Sequence, residues 1–318
     1  MTRSQPMITQ SWPPRYGGPA LHMMGDPLNN QHRNRLLAVL TALMILAGSV
    51  VLLYPSAASW VSQYNQSSIV AHGIPDTRQS DAARNAKELA LARQYNNELT
   101  SDALYKANTN TPSSEQGKGL HDLYEQALDA GSGLMARIQV PSINLDLPIY
   151  HGTDDDTLLK GIGHLEGTSL PVGGKGTHAV LTGHRGLAQA AMFTDLDRVK
   201  QGDLFTVSSF GQVLSYRVIR IQVVDPDQTR SLQAVEGEDL VTLVTCTPLG
   251  INTQRIFVTG ERVTPTPQSA IAAASGTPDV PGAPWWLFAL GAVTAMDVIW
   301  LKRSLQQSDR GKHISMHA

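Results

Sequence analysis

The chain has 318 residues, 42% of them hydrophobic and 16% charged, with a formal net charge of −2 and a single cysteine. There is no basic block to bind a phosphate backbone, so no nucleic-acid partner is expected. One cysteine excludes an intrachain disulfide, and it excludes a cysteine-based zinc site, which needs several ligands at close spacing. Residues 1–31 are rich in Pro, Gly, Met, Gln and Asn without periodicity. Such composition cannot bury enough apolar surface to order itself, so 1–35 reads as a disordered cytoplasmic tail. Leu36 to Tyr54, "LLAVLTALMILAGSVVLLY", carries no charge and approaches the ~20 residues that cross a hydrocarbon core. Arg33 and Arg35 precede it, which places its N-terminus in the cytoplasm. A cleaved signal peptide has an apolar stretch of about 7–15 residues and a short basic lead, so 36–54 reads as an uncleaved transmembrane anchor.

Residues 55–133 read as an extracellular helical arm. Ser80-Asp81 can cap a helix through "AARNAKELALARQYNNEL", and "GLHDLYEQALDA" is a shorter helical piece. "NTNTPSSEQGKG" between them is a loop, and the arm is too polar to be a core by itself. From Leu134 the pattern turns to short runs rich in Val, Ile, Thr and Leu: "MARIQVPS", "INLDLPIY", "THAVLTG", "LFTVSS", "VLSYRVIRIQVV", "LVTLVTC" and "RIFVTGERV". Separated by Gly- or Pro-containing turns, they predict one mostly-β domain over 134–263, a barrel or sandwich. "TDDDTLLKG" and "LAQAAMFTDLDRV" are expected as short helical insertions. Residues 264–284 are a Pro/Ala/Ser-rich linker. Trp285 to Leu301 reads as a second transmembrane helix, with Trp285, Trp286 and Trp300 as interfacial aromatics and Lys302 and Arg303 directly after it. Residues 302–318 are then a cytoplasmic tail, and the chain is a two-span hairpin with its β domain outside. "PVGGKGTH" lacks phosphate-loop spacing and reads as a turn. Asp154, Asp155 and Asp156 lack the alternating oxygen ligands of a calcium loop, and acids favour a helix start. Neither a metal nor another cofactor is expected.

The lone thiol, Cys246, ends the run "DLVTLVTC". "TPLGINT" supplies turn residues, and "QRIFVTGERV" follows as a strand. A hairpin of the two brings Arg255 back beside Cys246, where a guanidinium favours a thiolate and can hold an oxyanion. A lone cysteine is commonly a small buried hydrophobe. Outside the cell, however, a free thiol risks oxidation, and this one sits at a strand end beside a charged partner. A cysteine nucleophile usually works with a histidine. His151, His164, His178 and His184 all fall in the β domain. His184 follows a strand on a loop, whereas His178 begins the same strand and belongs at its opposite end. The residue pattern leaves the choice among the four open.

"LTGHRG", then "TLVTCTPLGINTQR" with its cysteine 62 residues after the histidine, resembles the sortases of Gram-positive bacteria. "VPSINLDLPIYHGT", "GIGHLEGTSLPVGG" and "MFTDLD" are similar to the pilin-polymerising class, class C. The resemblance spans about residues 134–263 and implies an eight-stranded β-barrel with short helices. It implies Cys246 as nucleophile, His184 as general acid/base and Arg255 as the group that stabilises the substrate carbonyl and its oxyanion. It also implies cleavage of a Leu-Pro-any-Thr-Gly sorting signal after Thr, and transfer to an amine, in class C a pilin lysine. The implied partners are pilins or surface proteins bearing that signal, and the membrane. Residues 60–133 hold no Asp-Pro-aromatic motif of the kind that plugs the site in many class C members. Two rival readings follow: a sortase whose acceptor is peptidoglycan, and a non-enzymatic tethered barrel that binds surface proteins. Arg185, next to the histidine, is expected to tolerate lysine.

Overall fold

The computed structural model describes residues 27–73, 82–99, 115–187, 191–276, 278 and 281–315. They fall into two compact units, one of residues up to Val50 together with those from Gly291 on, the other Val51–Leu290.

The described residues of the first unit are helical and belong to two long helices, each of which has part of its length in the second unit. Helix α1, Pro27–Gly73, is one uninterrupted helix of 47 residues, so it takes in the expected span together with residues assigned to the tail and the arm. The expected C-terminal span is likewise longer, as helix α6, Trp285–Ser315. Both contain stretches long and apolar enough to cross a membrane, His32–Ala71 and Trp285–Gln307. Only 11% and 0% of their apolar windows are buried, unlike the core helix of a soluble domain.

Within the second unit lies a closed barrel of eight strands in the order β1-β2-β3-β4-β7-β8-β6-β5. The strands are β1 Leu134–Val140, β2 Leu145–His151, β3 Ile162–His164, β4 Thr177–Thr182, β5 Leu204–Ser209, β6 Gln212–Val224, β7 Asp239–Thr247 and β8 Gln254–Val263. Seven of them are the predicted runs. The eighth, β3, has three residues, too few to display an alternating pattern, yet it joins β2 in parallel and β4 antiparallel and so completes the wall. The barrel is filled by Ile138, Leu181, Phe205, Tyr216, Leu243 and Val258, each at most 1% exposed. Burying such side chains stabilises by about 1.5–3 kcal/mol apiece. Phe205 and Tyr216 stack with centroids 5.5 Å apart. A Cβ on Gly260 would enter the Phe205 ring, so glycine is what lets the ring lie against β8.

The arm packs on this barrel as helices α2, Ala82–Glu98, and α3, Glu115–Gln126. Tyr95 and Tyr124 bury completely and join the main core. The Tyr124 hydroxyl accepts from the Gly152 amide at 2.8 Å. Of the arm, residues 74–81, with the expected Ser80-Asp81 cap, and 100–114 lie outside the described residues. Helix α4, Asp155–Lys160, starts as expected: the Asp154 side chain accepts from the Thr157 amide. That bond holds the Asp154 carboxyl below its ordinary value.

Two expectations need correction. The described residues of "LAQAAMFTDLDRV", 187 and 191–199, do not form the expected α-helix. They form a series of turns ending in a 3-10 turn at Leu196–Arg198. Met192 sits at φ 39, a left-handed conformation no helix continues through. The linker 264–284 is not featureless either. It contains helix α5, Gln268–Ala274. Arg137 Nη1 donates to the Ala274 and Gly276 carbonyls at 2.9 and 3.1 Å. A cation there satisfies carbonyls the helix end leaves unpaired and complements its dipole.

Candidate active site

Strand pairing brings the three predicted site residues to one rim of the barrel. β4 and β7 are parallel neighbours, with Thr182 opposite Val244. Two further residues along each strand lead to His184 and Cys246, so both leave the barrel at the same end. β8 runs antiparallel to β7 and begins at that end, with Arg255 directly opposite Cys246. The sequence achieves this with β-branched runs that hold the strands and a Pro-Leu-Gly-Ile-Asn turn that reverses the chain. Cys246 and His184 are half-buried, as is Arg255. Arg255 Nη1 donates to the carbonyls of Asn252 and Gln254, both at 3.0 Å. Among the described residues its Nε and Nη2 have no protein partner, so they remain available to a ligand.

The other three histidines of the domain are occupied elsewhere. His178, at the opposite end of β4, is buried with Nε2 2.7 Å from Thr242 Oγ1 and Nδ1 3.0 Å from the Gln233 carbonyl. Its burial lowers its pKa, so it is held neutral in the wall. His164 is fully buried; its Nε2 donates to the Ser169 carbonyl at 2.8 Å, which leaves Nδ1 to accept from the Tyr124 hydroxyl at 3.1 Å. Burial pulls His164 down to about 3. His151 has both ring nitrogens on carbonyls, those of Ala127 and Gly133.

The rim is also braced. Thr245 Oγ1 donates to the Gly183 carbonyl at 2.7 Å. The His184 carbonyl accepts from the Phe193 amide at 3.0 Å, which ties Phe193 to the histidine. Gly186 has φ +74, and Leu249 of the β7–β8 turn packs where its Cβ would be. Arg185, expected from the sequence to tolerate lysine, is held by three partners. Its side chain is 9% exposed and its Nη2 lies 2.6 Å from the Asp197 carboxylate. Nε donates to the Thr194 carbonyl at 3.1 Å and Nη1 to Thr247 Oγ1 at 3.0 Å. Its position next to a candidate histidine was visible in the sequence, but the partners were not, because they come from 9 to 62 residues away.

A thiol, an imidazole and a guanidinium gathered at one barrel rim can perform acyl transfer through a thioester. The chain is also similar to known proteins. The family described as "Sortase domain" matches residues 138–263. Sortase D of Bacillus subtilis (strain 168) is 32% identical over 131 residues, 40% of this chain and 63% of that relative, so the chain spans less than two thirds of that curated relative's length. The crystal structure of sortase C-1 from Actinomyces oris is 53% identical, with a TM-score of 0.52, and the match covers 56% of this chain and 98% of that one. A Streptococcus pneumoniae sortase C structure, described as informative on catalysis and pilin substrate specificity, is 37% identical, with a TM-score of 0.52, over 60% of this chain and 94% of its own. With this barrel, and with 53% identity over a match that covers 98% of a solved sortase, the chain belongs to the sortase family.

Proposed function

We propose that the protein is a membrane-anchored cysteine transpeptidase that joins a sorting-signal protein to an amine, the amine being a pilin lysine in pilus assembly. The observation that carries this reading is the placement of Cys246, His184 and Arg255 at the ends of three adjacent strands. The Cys246 thiolate attacks the Thr carbonyl carbon of a Leu-Pro-any-Thr-Gly signal. Negative charge moves to the carbonyl oxygen, where the Arg255 guanidinium donates hydrogen bonds. As the tetrahedral intermediate collapses, the Thr–Gly C–N bond breaks and His184 protonates the leaving glycine amine. A thioester remains. The acceptor amine then attacks it, gives its proton to His184 and expels the thiolate, so the enzyme is regenerated. The pilin class rests on the likeness to sortase C structures, one of them described in terms of pilin substrates. Two apolar helices at the ends of the described chain support attachment to a membrane.

The test is transfer itself. The full chain in detergent is given a Leu-Pro-any-Thr-Gly peptide with either a pilin domain or a peptidoglycan stem peptide as amine donor. The expected product is an isopeptide bond to a pilin lysine. Transfer only to the stem peptide would replace the pilin reading with wall anchoring. No covalent product with either would leave a binding barrel.

A further inference from the structure

The residues on either side of the candidate nucleophile hold the residues on either side of the candidate base. Thr245 holds Gly183, and Thr247 is held by Arg185. The second link is unusual in its cost. A guanidinium whose side chain is 9% exposed is paired to a half-exposed carboxylate and spends each of its three nitrogens on a different partner. An ordinary surface arginine gains little from such an arrangement and loses side-chain entropy. Of the three partners, Thr194 and Asp197 lie in the loop that returns after His184, and Thr247 is the residue after Cys246. One planar group therefore joins that loop to the end of the nucleophile strand.

We propose that Arg185 is a positioning residue for the acyl-transfer site: its guanidinium, fixed to Thr247, Thr194 and Asp197, sets His184 at the same step of the barrel rim as Cys246. This rests on the reading of His184 and Cys246 as base and nucleophile. Lysine keeps the charge, but its three donors share one nitrogen at the end of a flexible stem, so they cannot span the three separate partners that the planar fork reaches. Misplacing a catalytic group by about 1 Å can cost about 10²-fold in rate. The effect should appear in steps that need both groups and vanish when His184 is absent.

Two readouts test it. The first is single-turnover acylation of Cys246 by a Leu-Pro-any-Thr-Gly peptide. The second is alkylation of Cys246 by iodoacetamide at neutral pH, which needs no sorting peptide and so tests the link even where the peptide is the wrong substrate. Arg185→Lys should slow acylation about ten- to hundred-fold. It should also slow alkylation to the rate of His184→Ala. In a His184→Ala background it should have no further effect, because coupled residues are non-additive. Thr247→Val removes only the hydroxyl; it should reproduce part of the loss and add little to Arg185→Lys. Thermal unfolding separates the local role from general damage, and Thr247→Val serves if Arg185→Lys fails to fold. Wild-type rates in Arg185→Lys, or an equal slowing with and without His184, would overturn the proposal. So would alkylation at the wild-type rate in His184→Ala, since the histidine would then have no hold on the thiol.

Discussion

Arg255 faces Cys246 across a strand pair with two of its three nitrogens uncommitted among the described residues. A surface charge in that place would be worth within about ±0.5 kcal/mol of stability. A donor to the developing oxyanion would be worth far more in rate, typically about 10²–10³-fold. Arg255→Lys should therefore fall by about that factor in single-turnover acylation while its thermal unfolding stays near wild type. Acylation at the wild-type rate would move the oxyanion to backbone amides. The two histidines of β4 give the paired contrast. His184→Ala should lose about 10²–10⁴-fold in acylation. His178→Ala should keep the rate but lose stability, because it empties a buried site and leaves Thr242 Oγ1 without the imidazole. A larger rate loss from His178 would place the base at the wrong end of the strand. The hairpin register was legible in the sequence, since a strand, a turn and a strand leave little freedom for Arg255. The choice of histidine was legible only through the family resemblance, which implied His184, and not from the residue pattern itself. Four candidates fit that pattern, and the physical reasons that favour the fourth, the burial of the other three and the parallel β4–β7 pairing, are long-range.

At the scale of elements, the arm depends on a few buried polar contacts. Besides the Tyr124 bonds, the Tyr95 hydroxyl accepts from the Gly167 amide at 3.0 Å, and Asn96 pairs with both the amide and the carbonyl of Leu170. Tyr124→Phe should lower the unfolding free energy by about 1–3 kcal/mol, the cost of leaving buried partners unsatisfied. Peptide acylation should remain near wild type, as read by denaturant unfolding and single-turnover kinetics on one preparation. A loss of acylation without a loss of stability would mean that the arm acts on the site directly. α2 and α3 were recognisable from their helical pattern, but their docking was not, because it uses tyrosines whose partners lie in the barrel. β3 escaped because its three residues carry no period. The turns after His184 were misread because Ala- and Leu-rich composition favours a helix, while the left-handed Met192 and the bonds to Arg185 enforce turns.

For the whole molecule, pH and membrane should each leave a signature. His164 falls to about 3 from an ordinary 6.5 by burial. Below 6.5 the unfolded chain binds a proton that the folded chain refuses, so stability is full above that pH and is lost as pH falls towards about 3. The slope from this one group approaches about 1.4 kcal/mol per pH unit. His178, also lowered by burial, acts in the same direction. Denaturant unfolding of the full chain should be flatter below 6.5 in His164→Gln, and an unchanged slope would show that the histidine is charged when folded. The basic residues Arg33, Arg35, Lys302 and Arg303 lead to a second expectation. On cells stripped of their wall, external protease should cut between residues 55 and 284 and spare a tag after Ala318. A tag that external protease removes would contradict the two-span hairpin.

On the proposed function, Cys246, at the rim it shares with His184 and Arg255, takes an acyl group covalently from a sorting signal. Intact mass of the full chain after incubation with a Leu-Pro-any-Thr-Gly peptide tests it most directly. Wild type should gain a mass equal to the peptide up to its Thr acyl group, a gain absent in Cys246→Ala and removed when an acceptor amine is added. An unmodified wild-type mass with a peptide that binds, or an adduct that persists in Cys246→Ala, would contradict it.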